Sequence, residues 1–152
     1  MLTHFKDGKA VMVDVSGKAD TVRVAVAESS VWLPEAARAA LEQGGVGKGD
    51  PVAVAELAGI MGAKRTSELI PLCHPLPLSK VEVTGEHDGD VVRFTATCKT
   101  TGPTGVEMEA LTAASIAALT LYDMLKAASK GLVIRDTKLL RKEGGESGVW
   151  QR

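Results

Sequence analysis

The sequence predicts a single α+β domain in which helices pack on one face of an antiparallel, ferredoxin-like sheet. Stretches of alternating apolar and polar residues, typical of half-buried strands, lie between stretches with helical periodicity. The elements follow the order β-α-α-β-β-α-β, which is the split βαβ arrangement with its first helical part divided in two. The 152 residues, 45% of them hydrophobic, suffice for one core, so we expect residues 1–152 to form one domain.

The first strand and helix are predicted between residues 21 and 44. Apolar and polar positions alternate over residues 21–32, which indicates a half-buried strand. Pro34 then favours the start of a short helix and Gly44 its end. The polar, turn-rich segment before the strand offers at best an edge strand at residues 11–15. On the strand, one side carries Val22, Val24 and Val26, and the other carries Arg23, Ala25 and Ala27.

A second helix is predicted from residue 51 to about residue 69. Asp50 before Pro51 is an N-cap signature. Apolar residues then recur at the i, i+3, i+4, i+7 spacing of an inward-facing stripe, which continues to Lys64 and Arg65. Two inward cations could hold an anion, although cations at a helix C-terminus also simply offset the helix dipole. The stripe consists of Val54, Leu57, Ala58 and Met61.

The chain then passes through a proline-rich loop into a hairpin, a long helix, a last strand and a mobile, glycine-rich tail. Three prolines exclude a helix from residues 70–78. Asp88-Gly89 is typical of a hairpin turn. The predicted elements are hairpin strands at 79–85 and 91–99, a helix at 105–130 that Gly131 ends, a strand at 132–140 and the tail at 141–148.

Composition and charge exclude several classes of protein. A net charge of −1 offers no overall basic footprint for nucleic acid or an anionic membrane, and 3% aromatic residues are too few to stack bases. Two cysteines form no disulfide framework, and the N-terminus lacks the apolar run of a signal peptide. No apolar run approaches the ~20 residues that span a bilayer. We therefore expect a soluble protein of the cytoplasm.

The long helix carries charges that a buried, apolar helix seldom has without a partner or a task. Glu107 and Glu109 lie at its start, where negative charge is favoured. Asp123 and Lys126 near its end are i, i+3 neighbours, either a plain ion pair or a buried pair whose shifted pKa values suit proton transfer. At ~1.5 Å per residue, Glu109 and Asp123 are about 21 Å apart, so the helix serves two pockets or a second copy completes one.

Other groups have both a structural and a functional interpretation. Residues 44–50 are rich in glycine but fail the Walker pattern, although Lys48 could still contact an anion. His74 is either presented for binding by its loop or hydrogen-bonded to the backbone. A Cys73–His74 nucleophile is disfavoured because adjacent residues of an extended segment point to opposite sides, and Cys98 is a core residue. No metal-ligand spacing exists among the histidines, which are His4, His74 and His87.

The basic candidates, one histidine and a few isolated acids describe a site for a small polyanion in a nearly neutral protein. The residues alone therefore predict an anionic metabolite, such as a nucleotide, that is handled by acid–base chemistry. The five basic candidates are Lys48, Lys64, Arg65, Lys126 and Lys142.

Longer motifs cover nearly the whole chain. They are MVDVSGKADTVR (12–23), KGD (48–50), AGIMGAKRTSELIPLCHPLPLSKVEV (58–83), TGVEMEALTAAS (104–115), LYDMLKA (121–127) and GGESG (144–148). By these motifs the chain resembles the molybdenum cofactor biosynthesis protein C family, the cyclic pyranopterin monophosphate synthases. Local departures, such as Gly62 where the family pattern suggests Ala, remove no charged candidate.

The resemblance implies a ferredoxin-like fold and a lyase of molybdopterin, or molybdenum cofactor, biosynthesis. The implied reaction converts (8S)-3′,8-cyclo-7,8-dihydroguanosine 5′-triphosphate, a GTP-derived substrate, into cyclic pyranopterin monophosphate and pyrophosphate. A homohexamer, a trimer of dimers with active sites at subunit interfaces, is also implied. No cofactor is expected beyond Mg²⁺ that could accompany the phosphates. The rival hypothesis is a non-catalytic subunit that binds a nucleotide or pterin.

Matched residue by residue, the resemblance makes Asp123 and Lys126 the catalytic acid–base pair. It also implies two substrate-contacting segments and a set of basic positions, some of them near the phosphates. The substrate-binding residues so implied are Leu72, Cys73, His74, Met108 and Glu109, with Lys48 and Lys142 near the phosphates and Lys64, Arg65 and Arg23 as further basic positions.

Overall fold

The computed structural model of the chain describes residues 4–44, 47 and 49–152. Its long elements follow the predicted order, with short strands added at both ends and a one-turn helix after the second helix. The elements are β1 (Phe5–Lys6), β2 (Lys9–Ala10), β3 (Thr21–Trp32), α1 (Glu35–Glu42), α2 (Pro51–Lys64), α3 (Thr66–Leu69), β4 (Leu78–Asp88), β5 (Val91–Gly102), α4 (Glu107–Leu125), β6 (Val133–Glu143) and β7 (Trp150–Gln151).

One antiparallel sheet organises the fold, with its strands in the order β4-β5-β3-β6-β7. The central strands β3 and β5 pair along their whole length, from Thr21 opposite Gly102 to Trp32 opposite Val91. Without the short β7, the order β4-β5-β3-β6 places the first and third long strands in the middle, as in ferredoxin-like folds. Helices α2 and α4 pack on each other and on this sheet. The predicted fold class is therefore confirmed.

Local signals mark several element boundaries correctly. The Asp50 carboxylate accepts hydrogen bonds from the backbone N–H groups of Val52 (3.0 Å) and Ala53 (3.3 Å), so it caps α2 as predicted. The hairpin turns at Gly89, which has a positive φ of 61°. Residues 11–15, by contrast, form no strand.

Strand β3 alternates as predicted, but its small residues face the helices rather than its valines. Ala25 and Ala27 are fully buried and Arg23 nearly so, whereas Val22 is 54% exposed. Helix α4 packs against β3, and alanine side chains let two backbones approach closely. Strand β5 buries the predicted residues Val92, Phe94, Ala96 and Cys98.

The apolar stripe of α2 faces outward, contrary to the prediction that it faces the core. Helix α2 packs on α4 through small residues instead. A Cβ on Gly59 would lie 2.8 Å from the Ala113 carbonyl oxygen, and one on Gly62 would lie 2.9 Å from Ile116 Cγ1. This close contact leaves the large side chains for the opposite side of the helix. The exposed members of the stripe are Val54, Leu57 and Met61.

Two helix ends also differ from the predictions. Helix α2 stops at Lys64, because Arg65 leaves the helical conformation before the short α3 begins. Lys64 and Arg65 are both exposed, so the predicted pair of inward cations is wrong. Helix α4 ends at Leu125, before Gly131, and a turn follows it.

The predicted tail at residues 141–148 is instead the end of β6 and the turn that follows it. Strand β6 runs to Glu143, a turn covers residues 144–148, and β7 pairs back on β6. Gly144 and Gly145 have φ values of +99° and +77°, a conformation that other residues adopt only with strain. A Cβ on Gly144 would also collide with the Val22 carbonyl group.

Helix α4 is the core helix of the domain. By length and composition alone it could cross a membrane, but 56% of its apolar window is buried inside the fold. It packs against β3, β5, β6 and α2. Its apolar composition is therefore explained by the core, and its charged ends lie at two separate surfaces.

Candidate functional site

Two adjoining cavities open at the N-terminal end of α4. The first, about 330 Å³, lies between α4 and the proline-rich loop, and the second, about 740 Å³, lies between α4 and the turn after β6. Lys18, Thr104, Gly105 and Glu107 line both. Of the predicted site residues, the first cavity contains Leu72, Cys73, His74, Met108 and Glu109, and the second contains Arg23 and Lys142.

The proline-rich loop gives the first cavity its histidine. His74 Nε2 lies 2.7 Å from the carbonyl oxygen of Val13. Because a carbonyl only accepts, Nε2 carries the proton and donates it, which leaves Nδ1 as the acceptor of the neutral ring. The interpretation of His74 as hydrogen-bonded to the backbone is therefore confirmed. The ring also lines the cavity, and its role in binding stays a prediction.

The first cavity also contains a buried carboxyl group. Glu109 is only 4% exposed. Burial raises its pKa, and the negative charge of Glu107 raises it further, although a hydrogen bond from its own backbone N–H opposes both effects. A carboxyl group with a raised pKa can exchange a proton closer to neutral pH than an exposed one can.

The cysteine thiols are not activated. Burial raises the pKa of Cys73, and the charge of Glu109 adds to this effect. Cys98 is completely buried in the core, and its pKa rises to about 12 for the same two reasons. A nucleophilic cysteine needs a lowered pKa, so the raised pKa of Cys73 disfavours a Cys73–His74 nucleophile, and the burial of Cys98 confirms it as a core residue.

The second cavity is lined by cations on β3 and β6. Lys142 Nζ lies 3.5 Å from Glu107 Oε1 and donates a hydrogen bond to Ser147 Oγ at 2.7 Å. Arg23 is buried, and its Nε donates to the Gly102 carbonyl at 2.9 Å. The remaining guanidinium N–H groups lie against Gly145 of the turn. Strand pairing places Lys142 opposite Ala25, which lies two residues from Arg23 on the same side of β3.

Asp123 and Lys126 lie at the other end of α4 and line neither cavity. Their side chains are 2.8 Å apart, which confirms the ion pair, but they are 57% and 52% exposed. The hydrogen bond and charge of Asp123 raise the pKa of Lys126. The predicted burial of this pair, with a lowered lysine pKa, is therefore wrong for the single chain.

The remaining basic candidates lie apart from the two cavities. Lys64 lines a separate, shallower pocket of about 450 Å³ between α2 and β4. Arg65 is exposed and lines none of the three pockets. Lys48 falls outside the residues that the structure describes, so its predicted contact with the phosphates stays a prediction.

Sequence reasoning missed several residues of the cavities. Lys18 lies on their common edge, although it belongs to the quoted 12–23 motif. Thr21 lines the second cavity, and its buried hydroxyl has no hydrogen-bond partner among the described residues. Ser147 accepts a hydrogen bond from Lys142. Only the positions of Lys18, Thr21 and Ser147 in the longer motifs could have indicated them, because none of the three shows a distinctive spacing. Glu107, which the sequence already marked as a charge at the start of the long helix, pairs with Lys142.

The two cavities together can bind an anion at one end and exchange protons at the other. Of the described residues, three cations and two glutamates, Glu107 and Glu146, line the second cavity, while a buried carboxyl group and an oriented imidazole line the first. Within residues 4–44, 47 and 49–152, no three or more His, Cys, Asp or Glu side chains are grouped so that they could hold a metal ion.

Comparisons with known proteins agree with these motifs. The sequence model of the MoaC family matches residues 12–145. Cyclic pyranopterin monophosphate synthase from Rhodospirillum rubrum is 58% identical over 152 residues, covering 98% of this chain and 92% of the relative. The enzymes of the same name from Jannaschia sp. (58%, covering 99% and 94%) and Deinococcus radiodurans (55%, covering 99% and 89%) are similarly close. The chain therefore belongs to the MoaC family.

Proposed function

We propose that this chain is a cyclic pyranopterin monophosphate synthase, a cytoplasmic lyase of molybdenum cofactor biosynthesis. Its substrate is (8S)-3′,8-cyclo-7,8-dihydroguanosine 5′-triphosphate, and its products are cyclic pyranopterin monophosphate and pyrophosphate. The observation that carries the proposal is the pairing of a cation-lined cavity with a cavity that contains a buried acid. Relatives that are 55–58% identical over almost the whole chain bear this name.

The second cavity suits the phosphates of this substrate. A triphosphate carries several negative charges, which Arg23 and Lys142 can offset with charge-assisted hydrogen bonds. Pyrophosphate leaves more easily when its charge is held by such groups. Lys142 shares its charge with Glu107 at 3.5 Å, so a phosphate group competes with that carboxylate for the ammonium group.

The first cavity suits the ring system. Opening the imidazole-derived ring and building the pyran require protons to move at nitrogen and oxygen atoms. Glu109, with its raised pKa, can exchange a proton with a ring held there, and the His74 ring lies in the same cavity with its Nε2 held by Val13. Leu72 and Met108 offer apolar contact to the flat faces of the ring.

We further propose that Asp123 and Lys126 are the acid–base pair of a site that two chains form together. Their 2.8 Å contact supports the pairing, but at about 21 Å along the helix from Glu109 they cannot reach a ring bound in the same chain's first cavity. A homohexamer, a trimer of dimers, with sites at its interfaces would bring the two ends together. The exposed apolar residues of α2, Leu57 and Met61, supply a surface for such contacts.

Purified protein incubated with the cyclic GTP-derived triphosphate tests the proposed reaction. We expect one pyrophosphate to be released for each cyclic pyranopterin monophosphate formed, with no added protein or cofactor. Mass spectrometry measures the cyclic product. GTP serves as the control and should release none. If the chain binds the substrate but no pyrophosphate appears, it is the non-catalytic binding subunit that the sequence also allowed.

A further inference from the structure

The N-terminal segment of the described chain, residues 4–20, lies over the first cavity and is here named the strap. Its short strands β1 and β2 pair only with each other and form a sheet of their own. Even so, His4, Val13, Val15 and Lys18 of the strap line the first cavity. Part of the wall of the candidate site is therefore built by a segment outside the main sheet.

A single side chain holds the strap to the rest of the fold. Within the described residues, the bond from His74 Nε2 to the Val13 carbonyl is the only hydrogen bond between strap residues and residues outside the strap. The strap otherwise bonds internally, with Val11 N–H donating to the His4 carbonyl at 2.7 Å. Apart from the packing of its half-buried valines, Val11, Val13 and Val15, the position of the strap over the cavity therefore depends on His74 and on the covalent connection to β3.

A tight turn connects Val13, whose carbonyl is bound by His74, to Lys18. The Asp14 carboxylate accepts from the Ser16 N–H at 2.9 Å, and the Val15 carbonyl accepts from the Lys18 N–H at 3.0 Å. These two bonds close the chain between Val13 and Lys18 into one compact unit. Holding the Val13 carbonyl therefore also places the Lys18 backbone, on the edge that the two cavities share.

Lys18 is the available cation of the second cavity. Lys142 is engaged by Glu107 and Ser147, and the Nε of Arg23 donates to a backbone carbonyl. Among the described cations that line this cavity, only the Lys18 ammonium has no ion pair or hydrogen bond. A phosphate that enters can bind this ammonium without breaking an existing contact.

We propose that Lys18 is a further phosphate-binding residue of the substrate site, and that His74 positions it by holding the strap at Val13. This inference rests on the proposed function, because it takes the second cavity as the place of the triphosphate. It makes two narrower claims: a polyphosphate contacts Lys18, and that contact depends on the hydrogen bond from His74 to the Val13 carbonyl.

Inorganic tripolyphosphate is the probe, since its binding does not require turnover. Calorimetric titration of the full-length protein should show that Lys18→Ala weakens binding by about tenfold or more, the value of one charge-assisted hydrogen bond. Lys18→Arg should retain most of the affinity. Lys9→Ala, which removes an exposed strap lysine outside both cavities, is the matched control and should bind like the wild type.

Two substitutions of His74 separate its hydrogen bond from its bulk. The amide nitrogen of Gln reaches about as far as Nε2 and can donate to Val13, whereas that of Asn corresponds to Nδ1 and falls short. His74→Asn should weaken tripolyphosphate binding and speed hydrogen exchange at residues 11–18, and His74→Gln should restore both. In a Lys18→Ala background, His74→Asn should change the affinity by no more than about twofold, because both substitutions remove the same contact.

Each outcome decides the inference. The inference is overturned if Lys18→Ala binds tripolyphosphate with wild-type affinity, or if Lys9→Ala loses as much affinity as Lys18→Ala. It is also overturned if the losses in His74→Asn and Lys18→Ala are fully additive, or if the wild-type protein binds no tripolyphosphate. Failure of the proposed reaction looks different. The protein would then bind tripolyphosphate in a manner dependent on Lys18 while releasing no pyrophosphate from the cyclic triphosphate.

Discussion

The turn after β6 allows a substitution that tests how Arg23 is held in the second cavity. Gly145 and Gly148 both have positive φ values, +77° and +63°. Alanine at either position costs about 1–2 kcal/mol of backbone strain. Only at Gly145 would the new Cβ collide with the Arg23 guanidinium, because nothing lies within 4 Å of a Cβ on Gly148. The two alanine variants therefore share the strain and differ in the collision.

The expected losses of stability follow from these contacts. In Gly148→Ala, the strain is partly offset by about 0.4–1 kcal/mol from the less flexible unfolded chain, which leaves a net loss of roughly 0.5–1 kcal/mol. In Gly145→Ala, Arg23 must also move, and its 2.9 Å bond to Gly102 is lost, at a further cost of about 1.5–3 kcal/mol. At about 2–4 °C per kcal/mol for a chain of this size, Tm falls by roughly 1–4 °C and 5–15 °C respectively.

Calorimetry and steady-state kinetics on the same preparations test both consequences. At a temperature where both variants are folded, Gly145→Ala should raise KM for the triphosphate, because Arg23 no longer points into the second cavity, whereas Gly148→Ala should leave KM unchanged. If the two variants lose stability equally, or if Gly145→Ala retains the wild-type KM, the turn does not position Arg23 and the reasoning is refuted.

Three further predictions concern the remaining parts of the site. Because burial raises the pKa of Glu109 above its ordinary 4.5, the folded chain keeps that proton to higher pH than the unfolded chain, and stability falls as pH rises through the folded pKa. Glu109→Gln should therefore raise the urea midpoint of unfolding at pH 8, and this gain should vanish below pH 4.5. A gain that persists below pH 4.5 would contradict a raised pKa of Glu109 as its cause. Asp123→Asn should slow turnover by about 10²- to 10⁴-fold with an unchanged circular dichroism spectrum, and full turnover would exclude an acid–base role. If the chain forms the proposed hexamer, six times 15.9 kDa, Leu57→Asp should lower the mass measured by light scattering towards that of smaller species; an unchanged mass would remove α2 from the interface.

Local signals predicted most of the fold. Alternation in the strands, the Asp50 cap and the hairpin turn at Gly89 each depend on a few neighbouring residues, and the structure contains all three. The short connection between β4 and β5 then made these two strands neighbours in the sheet. The grouping of His74 with Glu109 came from the family resemblance, and the structure places both in one cavity.

Besides misplaced helix ends, the wrong predictions concerned which face of an element is buried. A periodic stripe identifies the most apolar side of a helix, which on α2 is the side of Leu57 and Met61. The buried side is instead the smallest one, because Gly59 lets the backbones of α2 and α4 approach each other. Sequence periodicity cannot separate a side that packs on the chain's own core from an apolar side that remains outside the monomer.

Near the C-terminal end of α4, an exposed apolar residue lies beside the proposed acid–base pair of Asp123 and Lys126. Leu119, which is 56% exposed, lies one helical turn before Asp123, and Lys126 follows on the same side. A second chain that packs on Leu119 would exclude water from the ion pair next to it. Loss of hydration disfavours the charged forms of both partners, so it lowers the pKa of the lysine and raises that of the acid. In the single chain, the contact with Asp123 has the opposite effect and raises the pKa of Lys126. On the proposed role of Asp123 and Lys126, assembly would turn this surface ion pair into a proton-transfer pair, and catalysis by the pair should be lost on dilution below the concentration at which the chains associate.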